Sequence, residues 1–136
     1  MRRVLACLVT STILAAGCGQ GVWLSRSDAI GRANREKGVS EVTRREAKLM
    51  TWPEFLRAGQ IQADPSAAPP GKQKVWLVAV SGNVQLGGAH ERWAIFVYNA
   101  VTGAAIGHIA GPSDEDTGQP VGPDWPPNWN DFPDSG

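Results

Sequence analysis

Few side chains in this sequence have the type and spacing that chemistry requires. His90 is followed by Glu91 next to a pair of glycines, and His108 stands alone further along. Two histidines without a spaced set of carboxylates fall short of the three or four ligands of a typical zinc site. No serine lies in a nucleophile-elbow pattern, and no cysteine follows Cys18 that could act as a thiol nucleophile. We therefore predict no catalytic, cofactor-binding or metal-binding residues, and we do not expect an enzyme.

Two acidic features could be interpreted as an acid–base pair and a calcium site, but the sequence supports neither. Glu46 and Glu54 can be paired as acid and base on paper, but surface helices and strands contain such pairs routinely. Asp114-Glu115-Asp116-Thr117-Gly118 is similar to the start of a calcium loop. It lacks the later bidentate glutamate and the flanking helices of that motif. We interpret it as a flexible acidic linker.

The tryptophans fall into two groups. Trp76 and Trp93 lie in apolar runs and are expected to be core or half-buried sheet residues. Trp125 and Trp129 lie in the segment PDWPPNWNDFPD, whose prolines favour extended conformations and which cannot bury much surface by itself. Their rings either fold back onto a sheet or act as anchors for a partner. Trp125 and Trp129 are therefore the candidate partner-binding residues.

The charge balance excludes some classes of partner. The 13 basic residues equal the 13 acidic ones, which argues against a nucleic-acid-binding or polybasic membrane-binding role. The distribution is uneven, because basic residues predominate between Arg26 and Arg57 whereas residues 111–136 contain acids and no Lys or Arg. Such a tail either lies on the basic half or stays disordered and soluble. We prefer the second interpretation, a disordered acidic tail rich in Pro, Gly and Trp over 111–136.

The first twenty residues, MRRVLACLVTSTILAAGCGQ, have the charge and hydropathy pattern of a leader. Their uncharged segment is shorter than the roughly 20 apolar residues that span a bilayer, so it predicts a secretory signal. Cys7 leaves with this leader, which makes Cys18 a lone cysteine without a disulfide partner. Its position at the mature N-terminus suits acylation. Ordinary signal cleavage near Gly17, or an uncleaved anchor, would instead leave Cys18 as an exposed thiol.

The end of the leader resembles the lipobox of bacterial lipoproteins. A small residue, Gly17, precedes Cys18, although Ala15 occupies the usual aliphatic position and Leu14 lies one step earlier. The resemblance implies a signal peptide over 1–17, lipidation of Cys18 and a tether over 18–23. It places the protein on the cell membrane or the outer membrane, facing the periplasm or the exterior. Gly19 favours the outer membrane in a two-membrane organism.

The next segment predicts a helical half. Ser25 and Asp28 have the spacing of a capping box, and Gly38 can close the helix in a left-handed conformation. Residues 41–50 fit neither helical nor strand periodicity cleanly, and we interpret them as a strand. Residues 51–59, with Pro and Glu in the first turn, predict a short second helix, followed by a surface loop.

The apolar runs predict a sheet. Runs over 75–80 and 93–98 are rich in β-branched and aromatic residues, and a weaker run covers 104–109. Gly87-Gly88 and Thr102-Gly103 separate them and suit the positive φ of tight turns. The sequence thus predicts a three-stranded antiparallel meander, or four strands with 41–50. We expect an α+β fold with one helix packed on this sheet.

The order of elements resembles PepSY-like domains. The resemblance lies in Ser27-Asp28-Ala29-Ile30 on the helix, Val75-Trp76-Leu77-Val78 on a strand, and the turn Asn99-Ala100-Val101-Thr102-Gly103. It covers residues 24–110 and implies a cystatin-like arrangement with no catalytic residues. Members occur in the propeptides of secreted thermolysin-type metalloproteases and as free envelope proteins, where inhibition or regulation of proteases has been proposed.

These features lead to two functional hypotheses. In the first, a membrane-anchored envelope lipoprotein uses its small PepSY-like domain to bind and modulate an envelope protein, with a protease as the class the resemblance implies. In the alternative, the domain is a structural or assembly accessory whose tail recruits a partner through Trp125 and Trp129. Neither hypothesis involves a cofactor or nucleic acid.

Overall fold

A computed structural model describes residues 23–61 and 73–136. Its strands form one antiparallel sheet in the order β1-β2-β3-β4. The predicted α+β meander is confirmed, and residues 41–50 do belong to a fourth strand. No helix within the described ranges is long and apolar enough to cross a membrane. The elements are α1 (Arg26–Asn34), β1 (Val39–Thr51), α2 (Trp52–Gly59), β2 (Lys74–Leu86), β3 (Ala89–Asn99), β4 (Ala105–Ala110) and a 3-10 turn (Trp129–Asp131).

The helix starts follow the sequence signals, and the helix ends do not. Both helices begin with complete capping boxes, Ser25 with Asp28 on α1 and Thr51 with Glu54 on α2. Helix α1 ends well before Gly38, and α2 is closed by Gln60 in the left-handed region. Gly38 also has positive φ, but it serves the sheet: its carbonyl accepts a hydrogen bond from Gln85 N, and a Cβ there would lie 2.3 Å from Gln85 O.

The sheet is apolar on both faces. Its first face carries Trp76 and is covered by α1, whose Ala29 and Ala33 are fully buried. Its second face carries Trp93 and is covered by α2 together with the C-terminal segment. Trp76 and Trp93 are therefore core residues, as the sequence predicted, and the structure places them on opposite faces. The prediction of one helix on the sheet was incomplete, because each face has its own helix.

Residues 111–136, called the C-terminal strap below, cross the whole second face. Near the start of the strap, Gly111 N donates to Trp93 O of β3 at 2.9 Å. In the middle, Ser81 Oγ of β2 donates to Asp124 O at 2.6 Å. At the end, Ser135 N donates to Leu49 O of β1 at 2.8 Å. The prediction of a disordered tail was therefore wrong.

The strap is ordered because the second face needs a cover that α2 cannot supply alone. Helix α2 has 8 residues, which corresponds to a length of about 12 Å. Trp129 and Phe132 of the strap are almost fully buried against the remaining surface. Phe132 stacks on Phe55 of α2 with ring centroids 6.1 Å apart. The aromatic side chains thus offset the low apolar content of the segment, and composition alone did not reveal this.

The end of the strap closes the outer edge of β1. Asp134 Oδ1 accepts a hydrogen bond from Leu49 N at 3.0 Å, and Asp134 pairs with Arg26 at 3.1 Å. Partial burial of the Asp134 carboxyl raises its pKa, but hydrogen bonds from Leu49 N and Gly136 N and the contact with Arg26 outweigh this and lower the pKa below its ordinary value. The edge closure thus depends on an ionised carboxylate.

Replacing Trp129 by alanine tests whether the strap is part of the core. We expect Trp129→Ala to lower the free energy of unfolding by about 3–5 kcal/mol, because it leaves a large cavity. Trp125→Ala is the matched control; its ring is only half-buried, so its loss is expected to be about 1 kcal/mol. Denaturant unfolding of the two variants measures the difference. Equal, small effects would show that the strap does not dock.

The strap also predicts a dependence of stability on pH. The pKa of Glu46 is lowered, first by its hydrogen bonds from Arg44 and also by the one from Trp129, and that of Asp134 is lowered as well. A carboxyl whose pKa is lower in the folded state stabilises the fold above its unfolded value and loses that contribution as the pH falls through the folded value. Thermal melts between about pH 6 and pH 2 are expected to show a loss of stability on acidification.

The double variant Glu46→Gln, Asp134→Asn keeps an acceptor oxygen at both sites and removes both titrations. Its melting temperature is expected to fall less steeply with acidification than that of the wild type. The remaining slope comes from other carboxyls, including Glu54 and Asp114, whose pKa values are also lowered by hydrogen bonds. Parallel pH profiles for variant and wild type would contradict the assignment.

Candidate functional site

Trp129 lies in the core and is not available as an exposed anchor. Its side chain is 2% exposed, and its Nε1 donates to Glu46 Oε1 at 2.8 Å. Lys48 Nζ of β1 donates to the carbonyls of Trp129 and Phe132 at 2.7 and 2.8 Å. Of the two alternatives that the sequence left open, the structure shows the first, in which the ring folds back onto the sheet.

Trp125 lies next to Trp129 at the border of the second face. The two rings meet edge to face with centroids 5.9 Å apart, and the Arg44 guanidinium lies 3.8 Å from the centroid of the Trp125 ring. Arg44, Glu46 and Lys48 alternate along β1 and share its second face. Charged side chains at every second position of β1 were the sequence signal that a segment docks on this face. Sequence reasoning missed this signal.

The other residues considered for chemistry do not converge. His90 contacts the Gln85 side chain, whereas His108 lies near the Phe96 ring. Asp114 Oδ1 accepts hydrogen bonds from Asp116 N and Thr117 N, so it closes its own turn. Across residues 23–61 and 73–136, no group of three or more His, Cys, Asp or Glu side chains could hold a metal ion. Cys18 lies outside the described residues.

An apolar groove opens on the second face between α2 and β4. It has a volume of about 190 Å³, below the range of roughly 300–1,000 Å³ that is typical of small-molecule sites. Such a volume admits one or two side chains of a protein partner. The groove is lined by Trp52, Phe55, Ile61, Val97, Ile106, Gly107, His108 and Ile109. Helix α2 and strand β4 are far apart in sequence, so sequence reasoning had no signal for this groove.

The same groove borders the open edge of the sheet. Strand β4 pairs with β3, and no other strand in the described part of the chain pairs with its outer side. Its sequence, AIGHIA, contains none of the Lys, Glu, Asp or Pro residues that commonly protect sheet edges. At the opposite edge, the backbone of Leu49 in β1 is bonded to the strap. The C-terminal part of the β1 edge is therefore closed by the strap, whereas the β4 edge has no partner within the described ranges.

An open edge beside an apolar groove is the arrangement used for strand addition. Backbone groups of the edge strand bind an extended segment, and the neighbouring groove accepts alternate side chains of that segment. In this chain, β4 supplies both the unpaired edge and one wall of the groove. The geometry favours binding of protein over binding of a small molecule.

No protein-family model, curated protein or solved structure matches this chain. The resemblance to PepSY-like domains therefore remains a prediction based on the element order and on the motifs of α1, β2 and the 99–103 turn. The lipobox resemblance at Cys18 also remains a prediction.

Proposed function

We propose that this protein is a lipid-anchored envelope protein whose small PepSY-like, cystatin-like domain binds and modulates another envelope protein. The PepSY resemblance points to a secreted or envelope protease as that partner. Binding is non-covalent, and the domain contributes no catalytic group. The proposal combines a surface of the folded domain with an anchor predicted from the leader.

The observation that carries the binding proposal is the open edge of β4 beside the apolar groove. A partner segment in extended conformation would pair with β4 through its backbone and place an apolar side chain between Phe55 and Ile106. Gly107 is exposed on this edge, so the partner backbone meets no side chain there. This mode requires no movement of the core.

The alternative, recruitment of an assembly through the tryptophan-bearing tail, receives less support. Presenting Trp129 to a partner would break its hydrogen bond to Glu46 and expose the apolar second face. Trp125 alone retains partial exposure, but its ring is already stacked on Arg44. The observed contacts of the strap are made with its own domain, and none of them supports binding of a separate partner.

The anchor is tested at Cys18. We expect the full-length protein to incorporate a radiolabelled fatty acid and to remain with the membrane fraction after a high-salt wash, because more than one acyl chain gives stable anchoring. Cys18→Ala is expected to lose the label completely and to accumulate in the uncleaved form. Label retained by Cys18→Ala would contradict lipidation at this residue. Cys7→Ala is the matched control and is expected to behave like the wild type.

The binding edge is tested with Gly107→Lys. A Cβ at Gly107 meets no heavy atom within 4 Å and φ there is not left-handed, so the fold is expected to be kept. The lysine places an ammonium beside the apolar groove and on the pairing edge, which is expected to weaken partner binding by about tenfold or more. Crosslinking in intact cells, affinity purification and mass spectrometry measure the recovered partner.

Ser40→Lys provides the control for this experiment. Ser40 is also an exposed strand residue, but it lies on β1 and pairs with Asn83 of β2. We expect full partner recovery with Ser40→Lys. Undiminished recovery with Gly107→Lys would exclude the β4 edge as the binding surface, and equal loss with both variants would indicate a general effect of added charge.

A further inference from the structure

One end of the domain combines exposed aromatic, aliphatic and basic side chains. Leu24 N donates to Ala100 O at 2.7 Å, which holds Trp23 next to the 99–103 turn. Trp23 is 40% exposed and Val101 of the turn is 45% exposed. Lys74 Nζ lies 5.9 Å from the centroid of the Trp23 ring. Exposed Trp next to Lys is the composition found at the level of lipid headgroups.

The same turn borders a polar pocket of about 400 Å³ that contains two arginines. The Arg32 guanidinium packs on Gly103, where a Cβ would lie 2.4 Å from Cζ, so this glycine lets the arginine lie against the turn. Arg35 lines the same pocket. Over the described ranges, neither arginine has a carboxylate oxygen within 4.0 Å. The pocket carboxylate, Glu36, accepts a hydrogen bond from Tyr98 Oη at 2.6 Å.

Two guanidinium groups with no carboxylate oxygen within 4.0 Å among the described residues suit an oxyanion, and the Glu36 carboxylate that lines the same pocket is bonded to Tyr98. Arginine presents a planar set of N–H donors that matches phosphate in bidentate geometry. Gly103 of the 99–103 turn lines this pocket, so a phosphate bound in it would lie against the turn that carries the exposed Val101. Lys74 adds a third cation to this end of the domain.

An acidic loop lies at the opposite end of β3. At the start of β3, His90 N donates a hydrogen bond to Gly118 O at 3.1 Å. That contact places the loop containing Asp114, Glu115 and Asp116 at the end of β3 remote from the 99–103 turn. A negatively charged surface would therefore attract the turn end and repel the acidic loop.

The position of the proposed anchor favours the same end. Trp23 follows Cys18 by five residues, and an extended chain spans at most about 3.6 Å per residue, or about 18 Å in all. An acylated Cys18 would thus hold Trp23, and with it the turn end, close to the bilayer. This step rests on the lipid anchor of the proposed function.

We propose that the turn-end surface, formed by Trp23, Arg32, Arg35, Lys74 and Val101, docks on an anionic lipid bilayer. Trp23 and Val101 lie at the headgroup level, and the pocket between Arg32 and Arg35 takes the phosphate of a lipid. Lipid phosphate and free phosphate share this chemistry, so the test separates the two sources.

The test uses the full-length protein reconstituted in nanodiscs of phosphatidylcholine alone or with phosphatidylglycerol. Amide hydrogen exchange of residues 101–104 is the readout, because their hydrogen bonds are confined to the turn. We expect exchange to slow in phosphatidylglycerol nanodiscs, with about fivefold for each cation that contacts lipid. Arg32→Gln, Arg35→Gln is expected to remove most of this difference, and Val101→Asp to reduce it.

Arg45→Gln, Arg57→Gln removes the same charge from exposed positions elsewhere and is expected to keep the wild-type protection. Equal exchange in both nanodiscs, or protection by inorganic phosphate in phosphatidylcholine nanodiscs without any effect of phosphatidylglycerol, would overturn the docking proposal. Retention of the protein on the nanodisc is scored separately. Loss of retention by the wild type contradicts the anchor, whereas retention without protection contradicts docking alone.

Discussion

The structure depends on burial of the two central strands on both faces. Strand β2 is buried at every position from 75 to 81, and β3 is buried from 93 to 99. Antiparallel sheets often leave one face to solvent and then show alternating polar and apolar residues. Here the continuous apolar runs require two covering layers, and the described part of the chain has two short helices for them. The C-terminal strap supplies the missing cover.

The local parts of the fold could be predicted from the sequence, and the long-range parts could not. Capping boxes at Ser25 and Thr51, the Gly87-Gly88 turn and the apolar runs each report on their immediate neighbours, so they located helices and strands correctly. The strap was missed because prolines and acids indicate disorder when a segment is considered alone. Its order comes from side chains on β1, namely Glu46 and Lys48, more than 80 residues away in sequence.

The candidate binding surface was missed for a related reason. The groove forms where α2 and β4 meet across the sheet, and neither Phe55 nor Ile106 has a sequence context that marks a binding residue. Sequence reasoning instead selected Trp125 and Trp129, because tryptophan is unusual in a polar, proline-rich segment. The two tryptophans do mark a segment that binds a surface, but that surface is the second face of the sheet in the same chain.

The two proposed surfaces are compatible with each other. The strands run from the turn end towards the acidic loop. In a domain docked through Trp23 and Arg32, β4 would therefore point away from the bilayer plane. The open edge would then face sideways, and neither the membrane nor the strap would cover it. A partner in the same membrane, or one in the adjoining space, would meet this edge without displacing the domain.

The strap also has a consequence for the kinetics of folding. Its contacts with Glu46, Lys48 and Leu49 of β1 join residues that lie 81 to 86 positions apart, and contacts of such separation form slowly. The hairpins of β2, β3 and β4 are local, so we expect them to form before the strap docks. During that interval Met50, Val75 and Leu77 remain uncovered on the second face. This half-covered sheet is the species that we expect to aggregate or to be degraded. Its lifetime is set by the rate at which Trp129 packs on the second face.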